Sequence, residues 1–569
     1  MRQGDGNSET IRWRSYSPSV HSFINMPSLS LVLSACALTL AYVVYKRFTR
    51  ISLSHVKGPE SSSFLYGNFP ELLQSQAGER DFEWQKTYGD VIRIHAPLGG
   101  ERLFITDPKA LSYIYQSGYN FIKSPSRSAL SRITLGPGLL NVEGEQHRRQ
   151  RKIMTPGFGS SEAKAFVPIF LSYAGKLANK WRDMISMDVS ETIIVDIPEW
   201  TSRATLDAIG EAAFDYQFGA LDNAENELAN TYTNLVFHVF GIPKPKDILA
   251  LSIMDMLPDS FARFIVRNAP SPRFEVGRRT NKLTTRVAKQ LVAEKYAALK
   301  EGKASKDLMS LMVKANASGN PDMRLEEDEL LAQMNIIVFA GHETTSNTLS
   351  FALLELVAHP ECQTKLRQEI RETQRKMHAV GRDEFTAADF DAMPYLSAVV
   401  KETLRMHPVV YNVFRIATKD DVLPLHKPIT TKTGEVLTEL PIPAGLQVIS
   451  SIAGYNRSKE VFGEDADVFN PERWLHKEGK PAVSLGVYGN MFTFVGGQRS
   501  CLGWRFAVME LHSFIVELVN SFEFSLTDGM DPSRVRRESC FIMMPTIEGE
   551  QEKGSQLHMK VRVAPSDED

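Results

Sequence analysis

FVGGQRSCLG, residues Phe494 to Gly503, is the stretch from which the fold can be read. Gly496 and Gly497 permit a tight turn and the close approach of a flat ligand. Cys501 follows, and directly after Gly503 the run WRFAVMELHSFIVEL carries apolar residues at helical spacing. A cysteine at a helix N-terminus has its thiolate stabilised by unpaired backbone N–H groups and by the helix dipole. Arg499, two residues earlier, can pair with an anionic group, and Phe494 can shield the sulfur from water. A shielded thiolate beside a cation suits an axial ligand of a haem iron, with the cation on a propionate.

Upstream, apolar spacing predicts one helix from about Leu325 to His359, roughly 50 Å long at 1.5 Å per residue. Its middle, NIIVFAG, is apolar all round, so the helix is expected to be central and buried. AGHETTS, Ala340 to Ser346, lies within it. Glu343 and Thr344 set a carboxylate beside a hydroxyl in an apolar helix, which costs desolvation unless both have partners or a task. Gly341 would let another plane approach the helix. Further on, Glu402 and Arg405 in ETLR share a helix face. GEQHRRQRK, Gly144 to Lys152, gathers His147, Arg148, Arg149, Arg151 and Lys152.

Taken together these stretches resemble the cytochrome P-450 family, in the style of its membrane-bound fungal members. The family's haem loop is matched at Phe494, Gly497, Arg499, Cys501 and Gly503, and the resemblance runs from roughly residue 55 to the end. It implies a mostly α fold with a small β part, in which haem b lies between the long central helix and the Cys501 loop. Ala340 and Gly341 would then line the distal face, where Thr344 would serve O2 activation and Glu343 proton delivery. Glu402, Arg405 and Arg473 of FNPERW would form a structural ion network. Arg151 and Arg415 would meet haem propionates, as would His147, which stands where the family usually has tryptophan. The resemblance also implies electrons from NADPH through a separate NADPH-cytochrome P-450 reductase, since no flavin- or nicotinamide-binding segment is legible. Cytochrome b5 is a second candidate donor. Lipophilic substrates follow by analogy: terpenoids, steroids or aromatic xenobiotics, in secondary metabolism. Their pocket is expected from Phe121–Leu140, Asn234–Ile248, Ile337–Ala340, Val409–Phe414 and Phe541–Pro545. A haem-thiolate isomerase, a peroxide-driven catalyst or a haem-binding sensor are the alternatives.

The rest of the chain fits this reading. The net charge of −3 over 569 residues gives no case for a nucleic-acid partner. Cys36, Cys362, Cys501 and Cys540 are widely spaced, which argues against a disulfide framework or a zinc site. Residues 1–27 read as a disordered tail. The uncharged run LSLVLSACALTLAYVVY, Leu29 to Tyr45, precedes Lys46, Arg47 and Arg50, so residues 28–47 read as a single-pass transmembrane anchor in the endoplasmic reticulum with a cytosolic body. Residues 48–70 read as a linker and 71–569 as the catalytic domain. Strands are expected at Val91–His95, Arg102–Thr106, Ile429–Thr438 and Gln447–Ile452, and helices at Ser161–Met184, Lys282–Lys300 and Trp504–Val519. The basic patch of Arg148, Arg149, Arg151 and Lys152 is either a solvated helix face or a dock for an acidic electron donor.

Overall fold

The computed structural model of the protein describes residues 51–223, 226–303, 307–318, 320, 323–476 and 483–566. The expected tail and membrane anchor lie outside them. Among the described residues no helix is long and apolar enough to cross a membrane. The segment expected as a linker packs from its first described residues onward: Leu53 and Val56 are buried, and Phe69–Gln74 is already a helix. Burial of these two apolar side chains offsets part of the freedom that the segment loses on ordering.

The first strands are β1 (Val91–Ala96) and β2 (Gly100–Ile105), paired antiparallel with Val91 opposite Ile105. The short β3 (Phe121–Lys123) leads into α1 (Pro125–Leu135), α2 (Gly144–Met154) and α3 (Ile197–Phe214). Next comes the 32-residue α4 (Glu327–Ala358), then α5 (Pro394–Met406), β4 (Asn412–Ala417), β5 (Gln447–Ser451) and α6 (Trp504–Ser521). The five strands form one sheet in the order β1-β2-β5-β4-β3. In it β4 runs antiparallel to both neighbours, and Arg415 lies directly opposite Lys123.

The expected long helix is α4, bounded where its sequence says it should be. Glu326 and Glu329 close a capping box, three acids fill the first turn, and Pro360 lies just past the end. It is buried along nearly its whole length. α3 can lie close because Ala204, Ala208 and Ala212 recur at four-residue spacing, and Thr205 donates to the His342 carbonyl at 3.1 Å. α6 and α5 pack on other sides of it.

Three expected elements differ in detail. Ile429–Thr438 is not one strand but parts of two, Asp421–Thr430 and Val436–Ile442, paired across a turn where Gly434 has φ +86°. The β-branched residues on both sides of the turn concealed it. Ser161–Met184 is split at Phe166, where Pro168 opens the helix Val167–Met187. Lys282–Lys300 is the latter part of a longer helix, Pro272–Lys300.

Candidate active site

α4 and the loop before α6 face each other across a cavity of about 260 Å³. On α4, Leu330 to Phe339 are all buried, yet Ala340 is exposed and Gly341 and Thr344 are half-buried. Positions i and i+4 stack on one helix face, and here that face opens into the cavity. Across from them Cys501 is set deep in the protein but open to the same space. Its backbone N–H donates to the Phe494 carbonyl at 2.8 Å, closing the loop that the sequence marked. Val495 takes φ +57° and Gly497 φ +62° inside it. A Cβ on Gly497 would come within 2.1 Å of the Tyr115 carbonyl oxygen, so this glycine is needed for backbone packing as much as for any ligand. Gly341 also has a packing role: a Cβ there would meet Ile209 Cγ1 at 2.9 Å, so the missing side chain admits α3.

Burial pushes the Cys501 thiol upward, while the Gly503 N–H and Arg151 pull it down. The helix start alone therefore does not make a thiolate here. A metal cation at the sulfur would, because coordination deprotonates a thiol outright.

The rest of the cavity wall has two characters. One part is apolar: Leu139, Leu140, Met154, Phe158, Ile209, Ile336 and Ile337. The other is cationic, with Lys123, Arg151, Arg415 and Arg499 beside His147. A single carboxylate, Glu143, serves two of the four cations, Lys123 at 3.5 Å and Arg499. Arg499 Nε is buried with no partner among the described residues. Lys123 and Arg415 are cross-strand partners, an arrangement of like charges that is unfavourable unless anions lie between them. Burial pushes Lys123 down to about 7. Arg151 donates to the carbonyl and hydroxyl of Ser500 at 2.8 and 3.0 Å, and so braces the residue before the cysteine. This excess of donors fits a flat ligand with an iron for Cys501 and two carboxylates for the cationic end, as haem b has.

His147, the departure from the family's tryptophan, is buried, and its Nδ1 lies 2.9 Å from the Tyr119 hydroxyl. Burial and the surrounding cations push it down to about 3, so the ring is neutral. With Tyr119 donating to Nδ1, the Nε2–H is the proton that His147 can offer to a carboxylate. Lys123 and Tyr119 were not singled out from the sequence. A lysine in a three-residue strand carries no local signal, and only the register with Arg415 brings it to the site.

Two expectations are corrected. Glu343 does not line the cavity with Thr344. It points to another side of α4, where it accepts from the Val236 N–H at 3.4 Å and borders a separate crevice of about 400 Å³ with Asn234, Ser346, Asn347 and Ser555. The stripe of α4 that faces the cavity is Ile336, Ile337, Ala340, Gly341, Thr344 and Thr345, and Glu343 falls one position outside it. Burial raises Glu343 to about 8, and its Oε2 has no partner among the described residues. Thr344 meanwhile donates to the Ala340 carbonyl at 2.6 Å. The second correction concerns the pocket wall. Of the segments expected there, only Lys123, Leu139, Leu140, Ile337 and Ala340 contribute. Asn234–Ile248, Val409–Phe414 and Phe541–Pro545 do not, and Phe541 is instead stacked on Phe240 at 4.0 Å.

Glu402, Arg405 and Arg473 come together in one ion network. Glu402 and Arg405 are fully buried and paired at 2.7 Å. Glu402 also accepts from Arg473 Nε at 3.0 Å, Trp474 Nε1 at 2.9 Å and the Asn470 N–H at 2.8 Å. Arg405 reaches the carbonyls of Asn456, Ala466 and Val468, so the network ties α5 to the segment leading to the cysteine loop. The basic patch is uneven. Arg149 Nη2 donates to both carboxylate oxygens of Glu329 at 2.7 Å, and only Arg148 and Lys152 are exposed. Cys362 and Cys540 are free and buried.

A cysteine loop facing a threonine-bearing helix over a cation-rimmed cavity defines a haem-thiolate enzyme. Residues 57–550 match the family described as cytochrome P-450, and the chain belongs to that family. It is 33% identical to cytochrome P-450 monooxygenase 205 of Postia placenta, over 94% of this chain and 97% of the relative. Monooxygenase 128 of the same fungus is 34% identical over 93% and 97%. Monooxygenase claQ of Ampulloclitocybe clavipes is 31% identical over 89% and 92%. The chain is thus a monooxygenase of a family that uses haem iron and O2.

Proposed function

We propose that the chain hydroxylates a lipophilic substrate, with electrons drawn from NADPH through a separate NADPH-cytochrome P-450 reductase and cytochrome b5 as a second donor. The observation that carries this reading is the cavity itself, which joins Cys501, Thr344, an apolar wall and a cationic rim. Haem b, when bound, supplies the iron chemistry of O2 activation. Cys501 would ligate the iron. Lys123, Arg151, Arg415, Arg499 and His147 would hold the propionates. Thr344 presents a hydroxyl at the cavity wall, where it can orient a water and pass on a proton. Glu343 keeps its own proton at neutral pH and stands on the crevice side of the same helix turn, so it serves as a store that the crevice can refill. The apolar wall favours terpenoid, steroid or aromatic substrates, in secondary metabolism. Residues 28–47 anchor the chain in the endoplasmic reticulum with its body in the cytosol. Exposed Arg148 and Lys152 then offer a reductase a cationic contact.

The test is the reduced carbonyl complex of the full chain. A thiolate-ligated haem gives the red-shifted Soret band, and Cys501→Ser should lose that band and turnover together. Retention of both in Cys501→Ser would remove the central assignment.

A further inference from the structure

The crevice that Glu343 borders has a second acid and a histidine in its wall. On α4, Glu343, Ser346 and Asn347 fall at i, i+3 and i+4, so they form one polar stripe on an otherwise apolar helix. Asn347 Oδ1 accepts from Ser555 Oγ at 3.3 Å, and Ser555 lies three residues before His558. His558 opens the strand His558–Val563, which pairs antiparallel with Thr192–Asp196 and sets His558 directly opposite Asp196. Directly opposed residues of such a pair share a face. Both side chains are half-buried and line the same crevice as the buried Glu343.

The ionisable groups of this wall can be sorted by what they already hold. Glu199 and Arg203 pair with each other on α3. Lys553 pairs with Glu550 at 2.6 Å. Asp196 uses Oδ1 to accept from the Leu557 N–H at 2.7 Å. Burial raises its carboxyl above the ordinary aspartate value, and the Leu557 N–H and His558 pull it back. Glu343 Oε2 has no partner among the described residues, and a buried polar atom left so calls for an explanation. Among the described residues this leaves Asp196, His558 and Glu343 as the groups in the wall able to trade a proton. Histidine is the side chain suited to exchange protons with water near neutral pH, and a carboxylate beside it stabilises the imidazolium. At about 400 Å³ the crevice has room for waters between the two ends, with Ser346, Asn347, Ser555 and Gln556 as their partners.

We infer that the Asp196–His558 pair is the entry point through which protons from solvent recharge Glu343. The inference rests on the proton-store reading of Glu343 and supplies the source of its proton. One proton moves and no electrons do. Once Glu343 has given up its proton, an imidazolium N–H of His558 passes one to a crevice water. Water in the crevice protonates Glu343 Oε2, and His558 takes its replacement from bulk solvent. Asp196 and His558 act through water and touch no substrate, so both are positioning residues.

The experiment uses the full chain with haem and follows the infrared carbonyl band of protonated Glu343, identified by its loss in Glu343→Gln. Rapid mixing into heavy water moves this band as the carboxyl exchanges its proton, so the rate of the move reports delivery with no substrate present. His558→Gln should slow the move by roughly tenfold or more. Asp196→Asn, which keeps an acceptor for the Leu557 N–H, should slow it by less. A morpholine sulfonate buffer at high concentration should restore the rate in His558→Gln, because a mobile acid then replaces the missing one; a damaged fold would not respond. An exchange rate that ignores both substitutions overturns the inference. So does slowed exchange that the buffer leaves slow, since the ring would then shape the crevice without feeding it. A parent that lacks the Glu343 band removes the proton store itself and the entry point with it, whereas the other two outcomes leave the store standing.

Discussion

Glu343→Gln should flatten the pH dependence of stability. In the folded chain Glu343 is buried on α4 and its carboxyl is raised from 4.5 to about 8, with desolvation the dominant cause and the Val236 and Leu235 N–H groups pulling the other way. Unfolded, it titrates as an ordinary glutamate. Between those two values the folded protein holds a proton that the unfolded chain has released. Folding stability from this group is therefore complete below the unfolded value and is lost as pH rises through the window toward 8. The slope is about 1.4 kcal/mol per pH unit, and the full window amounts to about 3–5 kcal/mol. Glutamine keeps the shape and the acceptor for Val236 but cannot ionise. Urea midpoints measured at about pH 5 and about pH 8 should fall with pH in the parent, and the fall should be smaller by several kcal/mol in Glu343→Gln. Other shifted groups, such as Asp81, raised to about 6 by burial, contribute equally to both proteins and cancel in the difference. An infrared band for a protonated carboxyl should also be present in the parent near neutral pH and absent from the variant. Parallel pH profiles for the two proteins would show that Glu343 is ionised in the fold, and the proton-store role would fail with it.

Thr344→Ala should keep its haem and its carbonyl spectrum, while NADPH consumption diverts from product to hydrogen peroxide; unchanged coupling of NADPH to product would make this hydroxyl structural. Glu402→Ala removes the acceptor shared by Arg405, Arg473, Trp474 and the Asn470 N–H and should cost about 3–5 kcal/mol, read as a lower urea midpoint and poor haem incorporation. Lys123→Met should act in opposite directions on two readouts, stabilising the haem-free chain by removing a buried cation while speeding haem loss to an apomyoglobin acceptor; equal haem retention would take Lys123 out of the propionate set. Removal of residues 1–50 should move the protein from the microsomal pellet to the supernatant, and a truncated chain that still sediments would place membrane binding in the body.

What the sequence determined by itself was everything carried by local pattern. The loop Phe494–Gly503, the long apolar helix and the Glu402-Arg405 spacing could be read because glycine conformation, helical periodicity and i, i+3 pairing act over a few residues. The mostly α class followed from the same periodicities. Only the tertiary structure decided which side chains meet across distance. It brought Lys123 to Arg415 through strand register, put Tyr119 behind His147 and filled the space beside Gly341 with Ile209. It also separated what the sequence had joined: Glu343 and Thr344 are adjacent in the chain yet open to different cavities, because the stripe of α4 that faces the haem cavity runs through Thr344 and Thr345 and leaves Glu343 outside it.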